Sequence, residues 1–524
     1  MTDAVAVDGE SLTPADVVAV AREDAAVTVP ERAREAVRES RARVVDLLES
    51  GDAVYGVNTG FGELVDERIP PDRVEQLQTN LVRSHAAGAG RELAREEVRA
   101  TMLVRLNALV TGYSGVREVV VDHLATMLSA GVHPVVRSRG SLGASGDLAP
   151  LAHVALVLIG EGAADVDGDR VSGEEALSRA DLDPLDLRAK EGLALLNGTP
   201  LSAGLAALAV HDAERLVRAA DNAGALTTEV TMGSTAACDA AVSAVRPHEG
   251  QAESARNVKR LTAGSEVVES HRNCDRVQDA YSIRCLPQVH GAVRDAVAHL
   301  REAVETELNS ATDNPLVYPR EAVNDYATGT ADVAVLSAGN FHGEVLALRL
   351  DYLTAALTEL AAISERRTDR LLNPNVQEPH LPPFLTDASG VESGYMLAQY
   401  TAAALLNECR SVGRPATDNT PVSGNQEDHV SMSAQSAFEA RRVLGNAGTV
   451  VGIELLCGAQ AAEFVDDDLA LGAGTGAAYE AVREVVPPLT EDRPLHEDIE
   501  LAGALVAGGA LDERVREALD GPLD

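Results

Sequence analysis

A serine set among glycines offers the most unusual chemistry in this chain: residues 140–150 read GSLGASGDLAP, with Ser145 at the centre. Glycines at 143 and 146 suit a backbone that bends tightly and brings its own atoms close together. Taken alone, Ala144-Ser145-Gly146 reads as an ordinary loop, with Asp147 capping the helix that follows. A serine nucleophile on a strand-to-helix elbow needs Gly-x-Ser-x-Gly, and Asp147 stands where the second glycine belongs. The bend itself allows a third chemistry. Attack of the Gly146 amide nitrogen on the Ala144 carbonyl, with loss of water, closes the tripeptide into a five-membered ring. Loss of a second water from Ser145 leaves an exocyclic methylene. The product, a 4-methylidene-imidazol-5-one, is a strong electrophile made without any external cofactor.

The surroundings of this loop decide between these readings. YGVNTGFG (55–62), NLVRSHAAGAG (80–90), GSLGASGDLAPLAH (140–153), GLALLNGT (192–199), QDAYSIRCLPQVHG (278–291), NSATDNP (309–315), GNFHGE (339–344), LPPFLT (381–386) and NQEDHVSM (425–432) follow one another along the chain. In content and order these blocks resemble the histidine/phenylalanine/tyrosine ammonia-lyase family, and the likeness runs from about residue 10 to 510. Any one block would be weak; nine in order are not.

The resemblance implies a carbon–nitrogen lyase that uses the self-formed electrophile. Such a reaction breaks a Cβ–H bond of low acidity and expels a poor leaving group, an amine. Addition of that amine to the methylene makes it leave more easily. By resemblance the base that takes the β-proton is Tyr55, whose pKa must fall from about 10 under nearby positive charge and hydrogen bonding. Arg284 is implied as the clamp on the substrate carboxylate, its planar fork matching two oxygens. Tyr281 matches the tyrosine that supports the reactive site, and shares a face with Arg284 if the segment is helical. Asn197 matches an asparagine beside the prosthetic carbonyl, where an amide stabilises developing negative charge. Gln278 and Phe341 match further pocket positions. The resemblance also implies a homotetramer with active sites shared between subunits.

Substrate choice rests on His85 and Glu427, polar partners for a ring that carries N–H groups. Phenylalanine-type relatives have an apolar residue and an amide at these places. A buried glutamate without a donor is costly, so the pair favours L-histidine, giving urocanate and ammonia. Turnover of tyrosine or phenylalanine, or an aminomutase reaction, is the alternative. The competing account is that Glu427 pairs with an arginine and His429 caps a helix. A serine hydrolase using Ser145 and a helical scaffold without catalysis are the readings from other classes. The lysine-bearing serine loop of fumarase-like lyases finds no counterpart, since Lys190 and Lys259 are the only lysines.

The elements that must carry these residues read as mainly α-helical. Apolar periodicity predicts helices at 73–86, 95–130, 148–160, 341–370 (through Leu346, Leu350, Leu353, Leu357, Leu360 and Ile363), 427–463 and near 510–519. Residues 131–147 read as a Gly- and Ser-rich loop. The acidic stretch 163–190, with Asp167-Gly168-Asp169, reads as a surface excursion with a hairpin. The expected organisation is a mixed, loop-rich N-terminal part over 1–200, carrying the electrophile loop, and a long-helix bundle over 201–524.

Composition bounds the rest. Apolar residues make up 45% and aromatics only 3%, which suits helices packed through small aliphatic side chains. A net charge of −38 excludes a cationic face for nucleic acid. It fits instead a carboxylate-coated surface kept soluble in concentrated salt, hence a halophilic source. Five scattered cysteines imply no disulfide framework, and LAPLAHVALVLIG is too short for a membrane span. The start lacks a signal-peptide pattern, so a cytoplasmic protein is expected. His271, Cys274, Cys285 and His290 lack zinc spacing, Asp466-Asp467-Asp468 reads as a solvated turn, and the remaining histidines show no constellation. No metal is expected.

Overall fold

The computed structural model describes residues 4–50, 56, 59, 69–272, 276–466 and 468–524. The chain is mainly α-helical, and its four longest described helices, of 23 to 31 residues, are Pro200–Val230, Leu286–Leu308, Glu344–Leu372 and Ser433–Ala462. Their apolar stripes explain them. Leu346, Leu350, Leu353, Leu357 and Leu360 recur at three- and four-residue steps and all are fully buried, each worth roughly 1.5–3 kcal/mol of transfer free energy. The Ser433–Ala462 helix is long and apolar enough to cross a membrane by length and composition, yet 78% of its apolar window is buried within the fold.

The contacts divide into two compact units, and not by a single cut near residue 200. The first holds Met1–His211, Leu300–Asp351 and Arg414–Phe438; the second holds Asp212–His299, Tyr352–Gly413 and Glu439–Asp524. The reason is visible in the elements. Four of the five boundaries fall inside the four long helices, so the chain passes between units along each of them.

In the first unit the helix Arg95–Val110 is buried on every side from Glu97 to Val110. The pattern expected to continue to 130 is interrupted at TGYSGVR, and a separate helix follows at Glu118–Ser129. The helices Val74–His85, Leu148–Leu158 and Glu191–Leu196 pack against one another. Every described strand is short and lies in this unit. Strand Ala163–Val166 pairs antiparallel with Asp169–Ser172. Asp167 and Gly168 turn the hairpin with φ of 53° and 87°, the left-handed pair that a tight two-residue turn requires.

In the second unit a buried polar network joins the long helices. Arg367 makes a two-pronged ion pair with Glu454, both fully buried. Thr227 Oγ1 donates to Glu454 at 2.9 Å, and Arg367 Nη1 donates to His290 Nε2 at 3.2 Å. His290 Nδ1 faces Asp221 at 2.7 Å, which also accepts from Arg294 and Asn257. Burial costs these charges, and mutual satisfaction offsets that cost. His290 is thus a core hydrogen-bonding residue, as its lack of zinc spacing implied.

Candidate active site

The segment carrying Ser145 is held by its neighbour across a two-glycine crossing. Gly198 N donates to Ser145 O at 3.3 Å and Asp147 N donates to Gly198 O at 2.7 Å. Gly146 has φ of +81°, and a Cβ there would lie 1.9 Å from the Gly198 carbonyl oxygen. No other residue fits. Leu142 O accepts from Met432 N at 2.8 Å, and Gly143 O accepts from Ser431 Oγ at 3.2 Å. These bonds fasten the loop to the segment bearing Glu427.

Asp147 does not cap the Leu148–Leu158 helix through its side chain. Its carboxylate accepts from Ser202 N at 2.9 Å, Ser202 Oγ at 3.0 Å and Ser141 Oγ at 2.8 Å. The side chain is fully buried; burial pushes its pKa up, against the pull of the Ser202 and Ser141 bonds. It is a strut that fixes the bend.

Ser145 opens onto a cavity of about 630 Å³ whose lining includes His85, Leu193, Asn197, Asn314, Phe341 and Glu427. Ser145 Oγ donates to Glu427 Oε1 at 3.0 Å. That partner is a carboxylate, not the imidazole that would activate a hydrolytic serine. His85 ends the Val74–His85 helix, and its Nδ1–H donates to Leu81 O at 2.9 Å. Nε2 is therefore left as the acceptor. Burial lowers the His85 pKa, opposed by the Leu81 bond and the charge of Glu427, so the ring is neutral near pH 7.

Asn197 follows the helix Glu191–Leu196 and is held from three directions. Its carbonyl accepts from Arg105, and its Nδ2 donates to Asn314 O at 2.9 Å and Asp313 Oδ1 at 3.4 Å. Asp313 is anchored by Lys190 at 2.7 Å, an ion pair buried on both sides. Arg105 is fully buried, and burial lowers its pKa to about 10. Asn197 Oδ1 is buried without a partner among the described residues. With His85 Nε2 it is an acceptor that the described residues leave open at the cavity.

The structure therefore gathers His85, Ser145, Asn197, Phe341 and Glu427 around one cavity, with Ala144 and Gly146 flanking Ser145. Gln278, Tyr281 and Arg284 are not on this cavity within a single chain; they belong to the second unit. Gln278 is exposed, Tyr281 is 71% exposed, and the Arg284 guanidinium lies 4.8 Å over the Tyr281 ring in a short helix, Tyr281–Arg284. Tyr55 and Cys274 lie outside the described residues. One expectation needs correction. His342 and His429, which showed no pattern in sequence, come together with Glu344 beside the cavity residues Phe341 and Glu427. An 87-residue separation between the two histidines hides such a cluster from spacing alone.

The long-helix fold with a glycine-bound serine at its cavity is that of a known group of mainly helical lyases and aminomutases. The solved tyrosine aminomutase from Streptomyces globisporus superposes with a TM-score of 0.92 at 38% identity, over 99% of this chain and 100% of that one. Histidine ammonia-lyase from Trypanosoma cruzi gives 0.88 at 37% identity, over 98% and 95%. Residues 12–484 match the family described as aromatic amino acid lyase, and the chain belongs to that family. It is 65% identical over 522 residues to a probable histidine ammonia-lyase of Halobacterium salinarum, covering 100% of this chain and 99% of the relative.

Proposed function

We propose that this protein is a carbon–nitrogen lyase that eliminates ammonia from L-histidine to give trans-urocanate. The observation that carries the reading is the placement of Glu427 and His85 on one cavity with Ser145. A phenyl or phenol ring would leave the Glu427 carboxylate facing carbon, whereas an imidazole N–H satisfies it. Identity of 65% to a relative named for the histidine reaction supports the same choice.

The residues fit a 4-methylidene-imidazol-5-one built from Ala144, Ser145 and Gly146. Neither the Gly146 N–H nor the Ala144 carbonyl has a hydrogen-bond partner among the described residues, so the atoms that would join are unengaged. When present, this group supplies an electrophilic carbon that converts the substrate amine into a better leaving group. Around it, Asn197 Oδ1 offers an open acceptor while its Nδ2 is held by Asn314 and Asp313, Asp147 keeps the bend closed, and Phe341 lines the cavity wall. By family resemblance Tyr55 takes the β-proton, Arg284 holds the substrate carboxylate and Tyr281 supports the reacting centre, with Gln278 lining the same pocket. The exposure of Gln278 and Tyr281 supports a homotetramer in which another subunit completes each site; light scattering reads its mass. The catalytic loop belongs to the first 200 residues, and the protein works in the cytoplasm of a salt-adapted cell.

The test is incubation with histidine, phenylalanine and tyrosine in concentrated salt, following ultraviolet absorbance of urocanate, cinnamate and coumarate. Histidine turnover with an intact mass two waters below the sequence mass is expected. An active protein with unmodified 140–150 would overturn the self-formed group, and preferential cinnamate or coumarate would overturn the substrate.

A further inference from the structure

The histidine–glutamate cluster beside the cavity has chemistry that the lyase reaction does not use. One ligand-capable atom each from His342, Glu344 and His429 lies within 4.8 Å of the others. The two imidazole rings are parallel to within 3°, with centroids 5.7 Å apart. His342 Nε2 donates to the His429 carbonyl at 3.3 Å. That bond fixes the tautomer and leaves the Nδ1 lone pair available, as outer hydrogen bonds do for ligating histidines.

Glu344 supplies the second, independent sign. Its Oε2 is buried and has no hydrogen-bond partner among the described residues, a costly state for a carboxylate oxygen. Its place in the first turn of Glu344–Leu372 gains from the helix dipole, but this explains neither the unpaired oxygen nor the paired rings. A cation between the three side chains satisfies all of them.

We propose that His342, Glu344 and His429 form a binding site for one divalent transition-metal ion of the Zn²⁺ class. Two imidazoles and one carboxylate suit zinc, cobalt or nickel, whereas calcium and magnesium demand all-oxygen shells. Metal–ligand distances of about 2.0–2.2 Å require donors within roughly 4 Å of one another, so the side chains need only small rotations. Three protein ligands leave a coordination position for water. His342 and Glu344 adjoin Phe341, and His429 adjoins Glu427, so the ion ties together the two loops that carry these cavity residues. Its role is positioning, away from the reacting atoms.

The test uses the metal-stripped full-length protein without substrate, since histidine itself binds metals. Calorimetric titration with Zn²⁺ is expected to show one more bound ion per chain in the natural protein than in His342→Ala/His429→Ala. Glu344→Gln, which preserves shape but removes the anionic ligand, is expected to weaken that ion by at least about 10-fold, the lower end of what losing even an outer-shell partner costs. Co²⁺ in place of zinc should give visible d–d bands that the double variant lacks. Circular dichroism checks that each variant is folded; if the double variant is not, Glu344→Gln with the cobalt spectrum decides. Equal stoichiometry and affinity in natural and folded variant proteins, or no saturable binding at all, would overturn the site.

Discussion

A carboxylate on a cavity wall needs a donor to face it, and in the chain as folded Glu427 takes one from the Ser145 hydroxyl. The proposed conversion of Ser145 would remove that hydroxyl and free Glu427 for a substrate N–H. Hydrogen bonds to charged groups contribute about 1.5–3 kcal/mol, so Glu427→Gln should lower kcat/KM for histidine by roughly 10- to 100-fold. Phenylalanine turnover should be unchanged or should rise; an equal loss on both substrates would show that Glu427 serves the bend and not the ring. Gly146 sets a second expectation. Its +81° φ and the 1.9 Å approach to Gly198 O leave no room for a methyl, so Gly146→Ala should yield protein at its full sequence mass. A variant still two waters lighter would contradict the need for this bend. At this scale the sequence was informative wherever a polar block broke an apolar run, as at His85, Ser145 and Glu427. It offered only a helix cap for Asp147 and no role for Lys190 or Arg105; their partners Ser202, Asp313 and Asn197 lie 55, 123 and 92 residues away.

Helices were legible because one apolar stripe at a 3.6-residue period leaves little choice of structure. The expected 341–370 and 427–463 appear as Glu344–Leu372 and Ser433–Ala462. Discontinuous units were not legible, since nothing local tells a long helix where its neighbours change. Nor were the charges inside the bundle. Glu454→Gln would leave Arg367 buried and unneutralised, a loss of about 3–5 kcal/mol, read as a large drop in thermal midpoint. Replacing both, Arg367→Met with Glu454→Leu, should recover most of it; no recovery would mean the network is needed for more than charge balance. His133, at the strand pairing His133–Pro134 with Ala164 and Asp165, gives a pH expectation. Burial, then the charges of Arg95 and Arg99, push its pKa from 6.5 down to about 4. The unfolded chain therefore takes up the proton first as pH falls. Stability present above 6.5 drains away towards about 4. His133→Gln should flatten that part of the pH–stability curve, and identical slopes in variant and natural protein would refute the assignment.

Over the whole molecule, 82 acidic residues face 44 basic ones, and the arginines are widely engaged. Arg170 binds both Asp165 and Glu92, and Arg34 binds both Glu118 and Asp122. Salt acts on this surface in two opposing ways. It weakens exposed ion pairs, each worth only about 0–1 kcal/mol, and it screens repulsion among the carboxylates. Even if every cation were paired, the excess of 38 negative charges would remain, so repulsion outweighs attraction. The screening length falls from about 10 Å at 0.1 M to about 3 Å at 1 M, shorter than most separations between surface charges. The thermal midpoint should therefore rise steeply between 0.1 and 1 M KCl and then level off, with NaCl giving nearly the same curve. Sucrose, which leaves charges unscreened, should not reproduce the rise. A midpoint that falls with salt would mean that ion pairs dominate this surface; one that rises only with potassium would mean specific ion binding in place of screening.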